Sequence, residues 1–156
     1  MGLLTDVYVA NRREADALPL EDMPDPPSTA GFGRPFDSAL GLRALLAERL
    51  DPVKLATLEQ LMTERPLRAL LGAVAYHREP GADGPWLVSV SSSLTDALAE
   101  VTPERTFAIA EQWACTEEWR ADRGDASLLE PLVAGLAELA RDARGGGREL
   151  YVLLRL

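Results

Sequence analysis

Residues 127–156 read SLLEPLVAGLAELARDARGGGRELYVLLRL. This stretch decides the fold class. Leu128, Leu132, Leu136, Leu139 and Ala143 recur at helical spacing, which predicts an amphipathic helix opened by Ser127 and running through Arg144. Arg141 and Arg144 suit the negative end of its dipole, and Gly145-Gly146-Gly147 ends it. Tyr151 to Leu156 then forms a strand that is apolar on both faces apart from Arg155. A strand buried on both faces belongs in the middle of a sheet. A helix feeding back onto a central strand predicts an α+β domain.

Working back from this end, Thr102-Pro103 is a cap followed by a first-turn proline, opening a helix to about Arg120. Residues 121–126 are a polar loop. Trp86 to Ser91 alternates as a strand, with Trp86, Val88 and Val90 on one face. Ser92 or Ser93 caps a helix through Val101. The turn Gly81-Ala82-Asp83-Gly84-Pro85 precedes that strand. Asp51-Pro52 opens a helix with the stripe Leu55, Leu58, Leu61 and Met62, and Pro66 begins another with Leu67, Leu70, Leu71 and Val74. Residues 38–49 read as helical. Leu3 to Val9 is a first strand, ending at Ala10. Asn11 and Glu14 have capping-box spacing for a short helix to about Leu18.

The expectation is a single domain, 1–156, with a small mixed or antiparallel sheet of about three strands covered by five to seven helices. A proline-rich acidic loop at 19–37 interrupts it. That loop holds Pro19, Pro24, Pro26, Pro27 and Pro35, nearly half of the chain's 11 prolines. Proline removes a donor and restricts its predecessor, so regular structure is not expected there.

Composition narrows the chemistry. Twenty-five acids against 16 bases give a net charge of −9. Nucleic acid needs a basic stripe that is absent, and an anionic membrane surface is disfavoured by the same charge. A basic protein partner is favoured electrostatically, with the acidic loop as its recognition arm and Pro26-Pro27 holding it extended. Lys54 is the only lysine; every other base is arginine, the composition of a GC-rich bacterial coding sequence. One cysteine, Cys115, forbids an internal disulfide and fits a cytoplasmic home. One histidine, His77, leaves too few ligands for a closed Cys/His zinc site. Neither a signal peptide nor a membrane-spanning run is visible. The Met1-Gly2 start carries Asp6 where a myristoylation motif has Ser or Thr. Gly31-Phe32-Gly33 is not a dinucleotide fingerprint, and no cofactor or metal motif is recognised.

Among candidate site residues, His77 is read near the end of a helix, and any histidine mechanism must use it. The cluster Trp113-Ala114-Cys115-Thr116-Glu117-Glu118-Trp119 is the most informative segment. On a continuous helix, Phe107, Ala110, Trp113 and Ala114 share an apolar face and Glu117 falls within its arc. The expectation is that Trp113, Glu117 and Trp119 line a pocket or an interface. Ser91, Ser92 and Ser93 lie between a strand and a helix, where small anions bind. Two functions follow. The first is a non-enzymatic protein-binding module of immunity or regulatory type. The alternative is an anion-binding domain or enzyme using Ser91–Ser93 with Glu117.

The Met1-Gly2-Leu3-Leu4 start, the helix Leu55-x-x-Leu58-x-x-Leu61-Met62 and the terminal helix–turn–strand resemble the YfbM-like family of small uncharacterised bacterial proteins. Leu55 stands where that family has an aromatic, and Lys54 is offset by one. The resemblance spans most of the chain and implies a fold without an activity. Glu130 to Leu156 is also similar to the last helix and strand of barstar-like inhibitors, without their Tyr-Gly-x-Asn and Leu-Trp-Asp segment.

Overall fold

A computed structural model describes residues 3–78 and 81–156. The Met1-Gly2 start and Glu79 lie outside them. The described residues form seven α-helices and one antiparallel sheet of six strands. In chain order the strands are β1 (Leu4–Ala10), β2 (Phe36–Asp37), β3 (Arg43–Leu46), β4 (Ala75–Arg78), β5 (Trp86–Ser89) and β6 (Glu149–Arg155). They lie in the order β2-β3-β1-β6-β5-β4. The helices are α1 (Arg12–Asp16), α2 (Pro52–Thr63), α3 (Leu67–Gly72), α4 (Ser92–Ala99), α5 (Thr106–Ala114), α6 (Glu117–Ala121) and α7 (Ala126–Gly145).

The terminal strand is central, as its two-sided apolar pattern requires. β6 pairs along its whole length with β1, Leu4 opposite Arg155 through Ala10 opposite Glu149, and with β5 on its other side. Alternation divides the two faces. Val7, Val9, Leu150, Val152 and Val88 enter the main core beneath α2, α4, α5 and α7. Tyr8, Ala10, Leu87, Tyr151 and Leu153 face a second core closed by Ala15, Leu18, Leu20 and Leu42. The first part of the proline-rich loop therefore covers the second face, through a 3-10 turn at Leu20–Asp22. The loop then crosses α7. Gly33 has φ +72°, and a Cβ there would meet the Leu132 backbone at 2.6 Å; a Cβ on Gly135 would lie 1.9 Å from the Gly33 carbonyl. Glycine at both positions lets two backbones touch.

Three strands exceed the expected count. Residues 38–49, read as helix, contain β3, whose Ala44 and Leu45 point to opposite cores. Pairing with β1 and β2 overrides the helical propensity of Arg-Ala-Leu-Leu. Phe36–Asp37 is a two-residue strand inside the expected loop. β4 replaces the expected helix end around His77, because α3 stops at Gly72.

The expected helix from 103 to 120 is also broken. A 3-10 turn at Pro103–Arg105 leads into α5, and the chain leaves the helix at Cys115 before α6 begins. Thr116 is extended, and its hydroxyl donates to the Trp113 carbonyl at 2.7 Å. Such a local side-chain bond competes with helix continuation. Asp125, not Ser127, caps α7. Leu132, Leu136, Leu139 and Ala143 are buried as read, whereas Leu128 is exposed. The Asn11–Glu14 capping box is present in both directions.

Candidate functional site

The break at Cys115–Thr116 undoes the expected tryptophan site. Trp113 and Trp119 are fully buried and meet edge to face, with centroids 5.3 Å apart. The Trp113 indole N–H donates to the Lys54 carbonyl at 3.0 Å. Phe107 is 46% exposed and so lies off the buried face. Glu117 starts a new helix, and its residue is exposed rather than set beside Trp113. Cys115 is exposed. Trp113, Glu117 and Trp119 therefore do not line an open pocket together. Glu117 lines neither of the clefts that Ser91 and Ser92 enter, so the Ser91–Ser93/Glu117 combination is not assembled.

The serines instead meet a different carboxylate. Ser91, rather than Ser92 or Ser93, caps α4: its Oγ accepts from the Leu94 N–H at 3.1 Å. The same hydroxyl donates to Glu59 Oε1 at 2.7 Å. Glu59 lies on α2, one turn beyond Leu55, and is 6% exposed. The spacing of 51-Asp-Pro-52 explains its direction. Asp51 accepts from the Lys54 N–H at 2.8 Å and fixes where α2 starts, which sends Leu55, Leu58 and Glu59 inward together.

Glu59 forms part of the wall of a cleft of about 70 Å³ between α2, α3, β5 and the start of α4. Leu55, Leu70, Val74, Val88 and Leu94 supply its apolar walls. The second partner, and the charged one, is Arg65, whose exposed guanidinium stands 3.6 Å from Oε1. Both contacts fall on one oxygen, and Oε2 has no partner among the described residues. Oε2 is not sealed off: it faces the open cleft, where water or an incoming donor meets it. The arrangement is suited to receive a compact cation that carries an apolar stem.

His77 sits apart from this cleft, on the opposite face of the sheet. A register shift between Tyr76 and Arg78 marks a bulge in β4. His77 Nε2 donates to Asp16 Oδ1 at 2.7 Å, and Arg78 donates to the carbonyls of Ala15 at 3.2 Å and Leu18 at 2.7 Å. The bulge thus aims two successive side chains at α1. His77 also packs edge-on against Tyr151, at 5.1 Å between centroids.

Glu59 and Arg65 were not among the residues singled out from sequence. The signal was an acid placed four residues after Leu55 and three before Met62, inside the apolar stripe of a helix. Lys54 is the other residue missed. It is buried at the start of α2, where its ammonium meets the Asp122 carboxylate, the Arg49 carbonyl at 2.6 Å and the face of Trp119 at 4.3 Å. Among the described residues, no group of three or more His, Cys, Asp and Glu side chains is arranged to hold a metal ion, and no helix is long and apolar enough to cross a membrane. Comparison with family models, with curated proteins and with solved structures gave no match.

Proposed function

We propose that this protein is a non-catalytic binding module for a basic partner protein, and that the Glu59 cleft takes a lysine side chain of that partner. The observation that supports this reading is Glu59 Oε2, which has no protein partner among the described residues, on a residue only 6% exposed in a cleft open to solvent. An incoming ammonium meets Oε2, while its methylene stem lies along Leu55, Leu70 and Leu94. A narrow cleft favours the compact lysine head over a planar guanidinium. The net charge of −9 speeds the encounter and makes it sensitive to salt. A cytoplasmic location, and no role in nucleic-acid or membrane binding, belong to the same proposal. So does kinship with the YfbM-like proteins, which rests on the residues quoted above and brings no activity with it.

The test is a tagged pull-down from native lysate at low and high salt, with wild-type and Glu59→Gln baits run side by side. One stoichiometric basic partner, lost at high salt and lost from the Glu59→Gln bait, supports the module. Equal capture by both baits contradicts it.

The Ser91–Glu59 hydrogen bond favours a second reading, an acyl-transfer site with Ser91 as nucleophile and Glu59 as its base. A fluorophosphonate probe that labels wild type at Ser91 and spares Glu59→Gln supports this alternative. Absence of labelling removes it.

A further inference from the structure

The second face of the sheet carries another cleft, of about 430 Å³, which shares only Ser89 with the Glu59 cleft. Its volume falls in the range of small-molecule sites. The pairing of Ala10 with Glu149 brings the start of α1 beside the start of β6, so Arg12 and Glu149 both line this cleft. Arg12 is exposed and makes no ion pair or side-chain hydrogen bond among the described residues. Glu149 Oε2 accepts from the Tyr151 hydroxyl at 2.7 Å, while Oε1 has no partner among the described residues. Tyr151 is 1% exposed. Burial, reinforced by its bond to Glu149, pushes the phenol up, so the hydroxyl keeps its proton and remains a donor. It thereby fixes the Glu149 carboxylate. His77, held by Asp16 and set edge-on to Tyr151, makes a rigid aromatic wall. Among the described residues, the cleft therefore presents an unpaired cation, a positioned carboxylate and the edge of the His77 ring, the complement of a molecule that carries both charges.

We infer that this cleft binds a small zwitterion of the α-amino-acid type, its carboxylate on Arg12, its ammonium on Glu149 Oε1 and its side chain against the His77 ring. The site is independent of the Glu59 cleft, and partner capture neither supports nor removes it.

The experiment is isothermal titration with the proteinogenic L-amino acids one at a time, followed by the carboxamide and N-acetyl derivatives of the best binder. The His77 ring resonance is followed by NMR as a local reporter. We expect saturable binding by one or a few amino acids, a shift of the His77 signal, and about tenfold weaker binding when either charged group is blocked. In Arg12→Met, a surface change that leaves the Tyr151–Glu149 hydrogen bond intact, the free acid and its amide bind alike. In Glu149→Gln the free amine and its N-acetyl form bind alike. The inference is overturned if no amino acid gives heat or a His77 shift up to about 10 mM, or if Arg12→Met binds as wild type does.

Discussion

Replacing Asp122 by alanine strands the ammonium of Lys54 inside the protein. Lys54 is 2% exposed, and Asp122 is its nearest carboxylate. Removing one partner of a fully buried ion pair costs about 3–5 kcal/mol. Two features reduce that figure. The Asp122 side chain is 40% exposed, so water replaces part of what is lost, and Asp51 Oδ2 remains 3.7 Å away. The expected loss is about 2 kcal/mol. Lys54→Met is different in kind, because it removes the charge together with its desolvation and keeps most of the volume beside Trp119. Its expected loss is under about 1 kcal/mol. The double variant should lose no more than Lys54→Met alone, since Asp122 acts through Lys54. Denaturant unfolding at neutral pH measures all three as midpoint shifts at constant slope. In thermal unfolding, 2 kcal/mol corresponds to a drop of about 4–8 °C for a chain of this size. The reasoning is refuted if Lys54→Met costs as much as Asp122→Ala, or if Asp122→Ala stays within about 0.5 kcal/mol of wild type.

Gly33→Ala and Gly135→Ala should each destabilise by about 3 kcal/mol or more, because each added Cβ drives the loop backbone into α7; chemical denaturation with retained mass and monodispersity checks this. Burial raises the Asp6 carboxyl above its usual 3.8, against the pull of Arg155. The folded state then holds the proton more tightly than the unfolded chain does. Asp6 therefore contributes stability at low pH that is lost as pH rises through and above 3.8. Wild-type stability minus that of Asp6→Asn should fall with rising pH in that window, and a rise would contradict the assignment. Phe107→Ser should shift stability by less than about 0.5 kcal/mol, whereas a buried aromatic at that position would cost several times more.

What was legible in the chain follows from which signals are local. α7, β6, β1 and the Asn11 capping box have periodicity or caps within one segment, and their positions follow from them. β3 is four residues of Arg-Ala-Leu-Leu, whose intrinsic preference is helical. Only its partners make it a strand, β1 distant in sequence and the two-residue β2 across a short turn. β4 is a bulged edge strand of four residues, too short to show alternation. The periodicity of 103–120 reads as one helix, and the chain breaks it. A single extended residue, Thr116, rotates everything after it, so Glu117 leaves the face of Trp113. Ser91 lies at the strand-to-helix junction that its local sequence predicts. Its carboxylate partner lies 32 residues earlier in the chain, a distance that composition and spacing do not bridge.

The Glu59 cleft is tested most directly by NMR on protein labelled with ¹³C in its glutamate side chains, titrated with n-pentylammonium as a free mimic of the lysine stem and head. A saturable shift of the Glu59 carboxylate carbon is expected, absent with n-pentanol and absent for the exposed Glu117. No shift at Glu59, or a shift that n-pentanol reproduces, would contradict a cation-binding role for the cleft.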